Sequence, residues 1–273
     1  MKNDKKEMSF VEHLEELRWH IIRSLIAIGI CMIFFFAFIQ DFIQYIVLAP
    51  FSPKFFINDF LCQINETLCF GKIEVNLQAT EPYEQFTRAI YISFIGGLVV
   101  AFPYVAWEFW RFLKPALYDE EIRKTRGFVF VISVLFLLGV AFGYFIISPF
   151  SVIFLSKFQI AEGIQNNWRI GSVIELIAQI TLAGGLLFQL PVLAYFLGKM
   201  GILTSRFMGR YRRHAVVFIL IIAGILTPPD PFSQIFLGLP MYLLYELSIW
   251  IVKSIEHKEK NQSALLTDDE HLS

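Results

Sequence analysis

The sequence lacks the motifs that mark common enzyme engines. It has no Gly-x-x-x-x-Gly-Lys-Ser/Thr phosphate loop, no glycine-rich dinucleotide turn, no His-Glu-x-x-His zinc helix and no Gly-x-Ser-x-Gly nucleophile turn. These absences exclude the nucleotide-driven, dinucleotide-dependent, zinc-peptidase and hydrolase chemistries that rest on those motifs. The five histidines stand scattered at positions 13, 20, 214, 257 and 271, with no metal-ligand spacing. No cofactor, metal or catalytic activity is expected, and nothing points to nucleic acid.

Cysteine is scarce as well. Cys31 lies in the middle of an apolar run and is expected to pack as a small hydrophobe. Cys62 and Cys69 share one long loop. They form a disulfide if that loop faces an oxidising compartment, and stay two free thiols otherwise. Two cysteines with no histidine nearby do not make a structural zinc site. A cleavable signal peptide is not expected, because the first apolar run is too long for one and acidic residues precede it.

Charge is missing from long stretches, and apolar residues fill them. Of 273 residues, 56% are hydrophobic, 30 are Phe, and the mean hydropathy is +0.58. Soluble domains lie nearer ~45–50% apolar. The chain reads as all-α and polytopic, with six membrane spans at about 20–39, 86–107, 127–147, 173–197, 215–227 and 232–252. Gly96 and Gly97 invite close helix packing in the second span. Pro149 is expected to end the third. The fifth, at 1.5 Å per residue, covers only about 20 Å and suggests a locally thinned bilayer. Residues 1–253 make one membrane domain, and 254–273 form a polar tail expected to be disordered in part.

The net charge of −1 says little, but the distribution of charge says more. Six spans put both termini on one side. Of the 23 Lys and Arg, 18 fall on that side and 5 on the other, so both termini are expected in the cytoplasm.

Residues 10–18, Phe-Val-Glu-His-Leu-Glu-Glu-Leu-Arg, stand directly before the first span. Glu12 and Glu16 are four apart and share a helix face, with Glu15 beside them, while Val11, Leu14 and Leu17 recur on another side. This is an amphipathic segment at the membrane surface. A second acidic cluster, Asp119, Glu120 and Glu121, follows the second span on the same membrane side. Two readings fit these acids. They form a patch that binds a cationic ligand, above all guanidinium groups, or they pair with Arg18, Arg111, Arg123, Lys124 and Arg126. Within the spans, Gln179, Gln189, Gln234 and Glu246 are costly in lipid and so are candidates for function, or for interhelical hydrogen bonding.

Several stretches, taken in order, resemble the TatC family, the membrane receptor component of the twin-arginine protein translocase. They are His13-Leu14-Glu15-Glu16-Leu17-Arg18, Ala49-Pro50, Phe102-Pro103, Phe112 with Pro115-Ala116-Leu117-Tyr118 and Glu121, Gly143-Tyr144-Phe145, Phe188 to Pro191, and Thr227-Pro228-Pro229-Asp230 with Ser233-Gln234. The resemblance implies a concave, glove-like bundle with short fifth and sixth helices in a bacterial inner membrane. It implies a receptor for twin-arginine signal peptides that works with TatA/TatB-type subunits and other copies of itself, and exports folded proteins on the proton-motive force. By position, Glu16 and Glu121 correspond to the acids that bind the arginine pair, with Arg18 and Phe112 shaping the site. Pro50 falls where a sensitive proline ends span one, and Asp230 and Gln234 fall in the outer turn before span six. One position departs from the family: many members have Glu where this chain has Gln189, and an amide hydrogen-bonds but carries no charge.

The alternative function is a small-solute transporter or channel. Such folds often show inverted repeats and a charged site at the midplane. Here spans one to three and four to six differ in length and loop pattern, and charge gathers at the cytoplasmic rim.

Overall fold

A computed structural model describes residues 10–52, 55, 57, 75–114, 127–158, 167–226 and 231–271. Two compact units make up the chain: residues 1–45 with 81–134, and residues 46–80 with 135–273.

The first unit is built on two long helices. α1 spans Phe10–Ala37, and a short α2, Ile39–Phe42, follows it. The partner, α3, spans Glu84–Leu113 and carries Pro103 inside it. Three contacts set the direction of the pair. Phe36 meets Phe86, Gly97 meets Met32, and His20 meets Glu108. As α1 numbers fall, α3 numbers rise, so the helices are antiparallel. Lipid gives no hydrophobic drive for helices to associate, so close packing must supply it. Gly97 makes that packing possible: a Cβ there would stand 2.7 Å from the Met32 backbone nitrogen. On the side of α1 away from α3 the apolar side chains face outward, with Ile30, Ile33 and Phe34 at 64%, 71% and 60% exposure. That is the pattern of a helix bathed in lipid rather than one buried in a globular core.

α4, Phe128–Phe142, begins in the first unit, where Trp110 of α3 packs on Phe128 with ring centres 4.8 Å apart. The rest of the chain lies in the second unit. A π-helical turn, Gly143–Ile147, and α5, Ser148–Lys157, carry the third span onward. Pro149 therefore does not end the span, as its sequence position suggested. It occupies the first turn of α5, where its missing N–H and fixed φ are tolerated. The Ser148 hydroxyl donates to the Gly143 carbonyl at 3.0 Å and helps satisfy the widened turn. Gly143 itself lies so close to the next helix that a Cβ would sit 2.6 Å from the Ile180 carbonyl oxygen.

That next helix, α6, spans Ile170–Leu187, and α7 spans Leu190–Lys199. The fourth span is thus broken at Phe188-Gln189, with Pro191 in the first turn of α7. A short α8, Ser205–Arg210, is capped by the Thr204 hydroxyl, which accepts from the Phe207 amide at 3.2 Å. α9 spans Arg212–Leu226, and α10 spans Pro231–His271. The expected tail is instead a continuation of α10 well past residue 253. Its sequence explains this, since Lys, Glu, Gln, Ala and Leu are strong helix formers.

Two short strands, β1 (Asn76–Gln78) and β2 (Asn167–Arg169), pair in parallel, with Leu77 opposite Trp168. Trp168 packs against Phe51 with ring centres 6.0 Å apart. The core of this unit gathers Ile147, Ile180, Ile219, Ala223, Leu237 and Met241, all buried.

Among the described residues, four helical stretches are long and apolar enough to cross a membrane: Leu14–Ala37, Glu84–Phe112, Phe128–Lys157 and Ile170–Lys199.

Candidate functional site

The antiparallel pairing of α1 and α3 brings the N-terminal end of one beside the C-terminal end of the other. At that meeting point stands Glu108, only 1% exposed. A buried carboxylate needs partners, or its desolvation destabilises the fold. Glu108 has several. The His20 ring Nδ1 donates to one carboxylate oxygen, and the Tyr104 hydroxyl donates to the other at 2.9 Å. The Arg23 and Arg111 guanidinium groups add charge at 3.8 and 3.7 Å. Arg111 in turn lies over the Trp107 ring, 4.9 Å from its centre.

This cluster fixes what surrounds it. Glu16 lies four residues before His20, and Phe112 lies four residues after Glu108, so each stands one helical turn from the hydrogen bond on the face that carries it. Because the helices are antiparallel, both steps lead to the same end of the pair. The Phe112 ring meets the His20 ring edge-on, with centres 6.2 Å apart. Glu16 is half-buried, and Arg18 is exposed beside it on the outer side of α1. Glu16 and Phe112 thus stand at the same end of the α1–α3 pair, each one turn from a buried ion-paired node. Carboxylate plus aromatic surface is an arrangement that receives a guanidinium, which pairs with the first and stacks on the second.

Other positions singled out in the sequence lie in the second unit. Pro50 is buried in a tight 3₁₀ turn, Ala49–Phe51. Gln189 sits at the break before α7, where its carbonyl accepts from the Leu193 amide. The Gln234 side-chain amide donates to the Leu220 carbonyl at 2.8 Å and ties α10 to α9. Gln179 bonds within its own helix, to Glu175. Glu121, Asp230, Cys62 and Cys69 lie outside the described residues.

Glu108, His20 and Tyr104 escaped the sequence reading. Ending the second span at Trp107 made Glu108 the first residue of a polar connection. Continuing the helix through Phe112 shows the signal that was there, a Tyr–Glu pair at i, i+4 followed by Arg111 and Phe112.

Known proteins resemble this chain along nearly its whole length. The family model described as Sec-independent protein translocase protein (TatC) matches residues 12–240. The Sec-independent protein translocase protein TatC of Blattabacterium sp. subsp. Periplaneta americana is 36% identical, over 95% of this chain and all of that protein. TatCy of Bacillus subtilis strain 168 is 32% identical over 94% of each chain. A crystal structure of a twin-arginine translocase receptor, TatC, in the detergent DDM superposes with a TM-score of 0.72 at 29% identity, covering 88% of this chain and 98% of that one.

Proposed function

The chain belongs to the TatC family of Sec-independent protein translocase proteins, and on that premise we propose that it receives twin-arginine signal peptides at the end of the α1–α3 pair. The observation that carries this reading is the hydrogen bond from His20 to buried Glu108, which holds Glu16 and Phe112 at one end of the two helices. In the proposed site Glu16 and Glu121 take the two guanidinium groups, Phe112 supplies an apolar face, and Arg18 bounds the site. A carboxylate accepts both N–H bonds of an arginine fork, whereas a lysine ammonium offers no such fork. That difference is the physical basis for preferring Arg-Arg over Lys-Lys.

The remainder of the proposal follows the family. The protein spans a bacterial inner membrane six times with both termini in the cytoplasm, in keeping with 18 of its 23 basic residues falling on that side. Residues 1–253 form the membrane domain, and the C-terminal part of α10 extends beyond it. Single-span subunits of the TatA/TatB type and further copies of this chain assemble with it, and folded cargo crosses on the proton-motive force. Pro50, Gln189, Asp230 and Gln234 serve structure or partner contact.

Binding of a labelled Arg-Arg signal peptide to the purified full chain, followed by fluorescence anisotropy, tests the site. Glu16→Ala and Glu121→Ala are each expected to weaken binding about tenfold, the loss of one charge-assisted hydrogen-bonded contact. Unchanged affinity in both variants overturns the assignment.

A further inference from the structure

Away from the peptide site, α8 and α9 line a shallow, open groove of about 740 Å³. It is lined by Phe207 and Tyr211, by Arg213 and His214 at the start of α9, and by Phe218 and Ile221 further along. Tyr245 of α10 closes one side, its hydroxyl turned away to donate to the Met208 carbonyl at 2.8 Å. The chemistry of this groove is ordered along one helix. Basic groups stand at positions 213 and 214, and exposed apolar side chains follow at Val217, Phe218 and Ile221, at 57%, 63% and 54% exposure. From 214 to 221 the helix advances about 10 Å. Rings meet at tilted angles at the polar end, with Phe207 to Tyr211 at 4.6 Å and Tyr211 to His214 at 5.4 Å between centres.

Charge complementarity identifies the occupant. Among the described residues, no carboxylate lines the groove. Glu246, the residue next to Tyr245 in α10, is already taken by Arg212, whose Nε and Nη2 reach its two oxygens at 2.9 and 3.0 Å. Arg206 and Arg210 of α8 add positive charge nearby. We propose that this groove binds one anionic phospholipid, with the phosphate at Arg213 and His214 and the upper acyl chain along Phe218 and Ile221. An anionic head over an apolar tail matches the groove's own order, and basic pockets at membrane helix ends hold acidic headgroups. A zwitterionic choline headgroup brings its own cation to Arg213 and fits less well. The inference rests on the membrane placement of the chain and not on the peptide site.

Native mass spectrometry of the full chain in detergent, titrated with phosphatidylglycerol or phosphatidylcholine, reads this directly. Phosphatidylglycerol is expected to be retained several-fold more than phosphatidylcholine. Arg213→Gln should lower its occupancy roughly fivefold, and Arg213→Lys should restore most of it. Val217→Trp, which fills the groove without changing charge, should displace the lipid as well. Equal retention of the two lipids, or an Arg213→Gln variant that holds phosphatidylglycerol as well as the parent, overturns the proposal. So does a groove that binds an apolar transmembrane peptide and ignores phosphatidylglycerol. The Arg-Arg peptide affinity is read separately and is expected to be the same in all three variants.

Discussion

His20 and Glu108, 88 residues apart in sequence, hydrogen-bond to each other across two antiparallel helices, and each lies one turn from a residue of the proposed peptide site. The bond joins the two helices that carry Glu16 and Phe112. Glu108→Ala is expected to remove a buried acceptor from His20, Tyr104 and two arginines at once. A hydrogen bond to a charged group contributes about 1.5–3 kcal/mol, so the variant should melt several degrees lower than the parent. Glu108→Gln keeps one acceptor oxygen, enough for Tyr104 or His20 but not both, and should lose less than Ala. Thermal unfolding in detergent checks both, and equal melting of parent and Glu108→Ala contradicts a structural role for the node.

Close packing of α1 on α3 leads to a second expectation. At Gly97 an added Cβ meets the Met32 backbone at 2.7 Å and the Ile28 carbonyl at 3.0 Å, and backbone cannot swing aside as a side chain can. Gly97→Val should therefore cost about 1–3 kcal/mol by forcing the helices apart. Gly29 on α1 meets nothing within 4 Å, so Gly29→Ala should be neutral or stabilise by up to about 1 kcal/mol through helix propensity. Parallel unfolding measurements on the two variants test the contrast.

The Arg212–Glu246 pair permits a third expectation. It is bidentate, and the Tyr242 hydroxyl donates to Glu246 at 3.0 Å. Arg212 is half exposed, with its side chain at 50%, so solvent screens the pair. Arg212→Lys keeps the charge and loses the fork, and should cost no more than about 1 kcal/mol. A double-mutant cycle with Glu246→Gln measures the coupling directly.

Cys62 and Cys69 provide a fourth expectation. On the proposed topology their loop faces the oxidising side, and non-reducing mass spectrometry of the peptide pair should find them linked. Two alkylatable thiols would contradict this.

Much of this molecule can be read from its residues. Apolar runs located the helices because lipid demands long uncharged segments, and Gly96-Gly97 announced a close helix contact that Gly97 makes. Boundaries were harder. Pro149 reads as a terminator, yet a π-helical turn before it absorbs the irregularity and the helix continues. Phe188-Gln189 lies inside one apolar stretch, yet the helix breaks there, since Pro191 requires a fresh first turn. Glu108 was hidden for a different reason. Its burial depends on His20 and Arg23 arriving from another helix, and no local pattern in α3 states which helix will lie opposite. Glu16 and Phe112 were named through family resemblance. Their common location follows from the antiparallel pairing, which spacing along either helix alone does not reveal.

Site-specific photocross-linking of a twin-arginine precursor tests the central claim most directly. A photoreactive residue at position 16 or 112 of the full chain in membranes is expected to capture an Arg-Arg precursor strongly and its Lys-Lys variant weakly. The same probe at Leu25, on the lipid-facing side of α1 at 59% exposure, should capture neither. Equal capture of the two precursors at position 16, or capture at Leu25 alone, would contradict a guanidinium-binding site at the end of the α1–α3 pair.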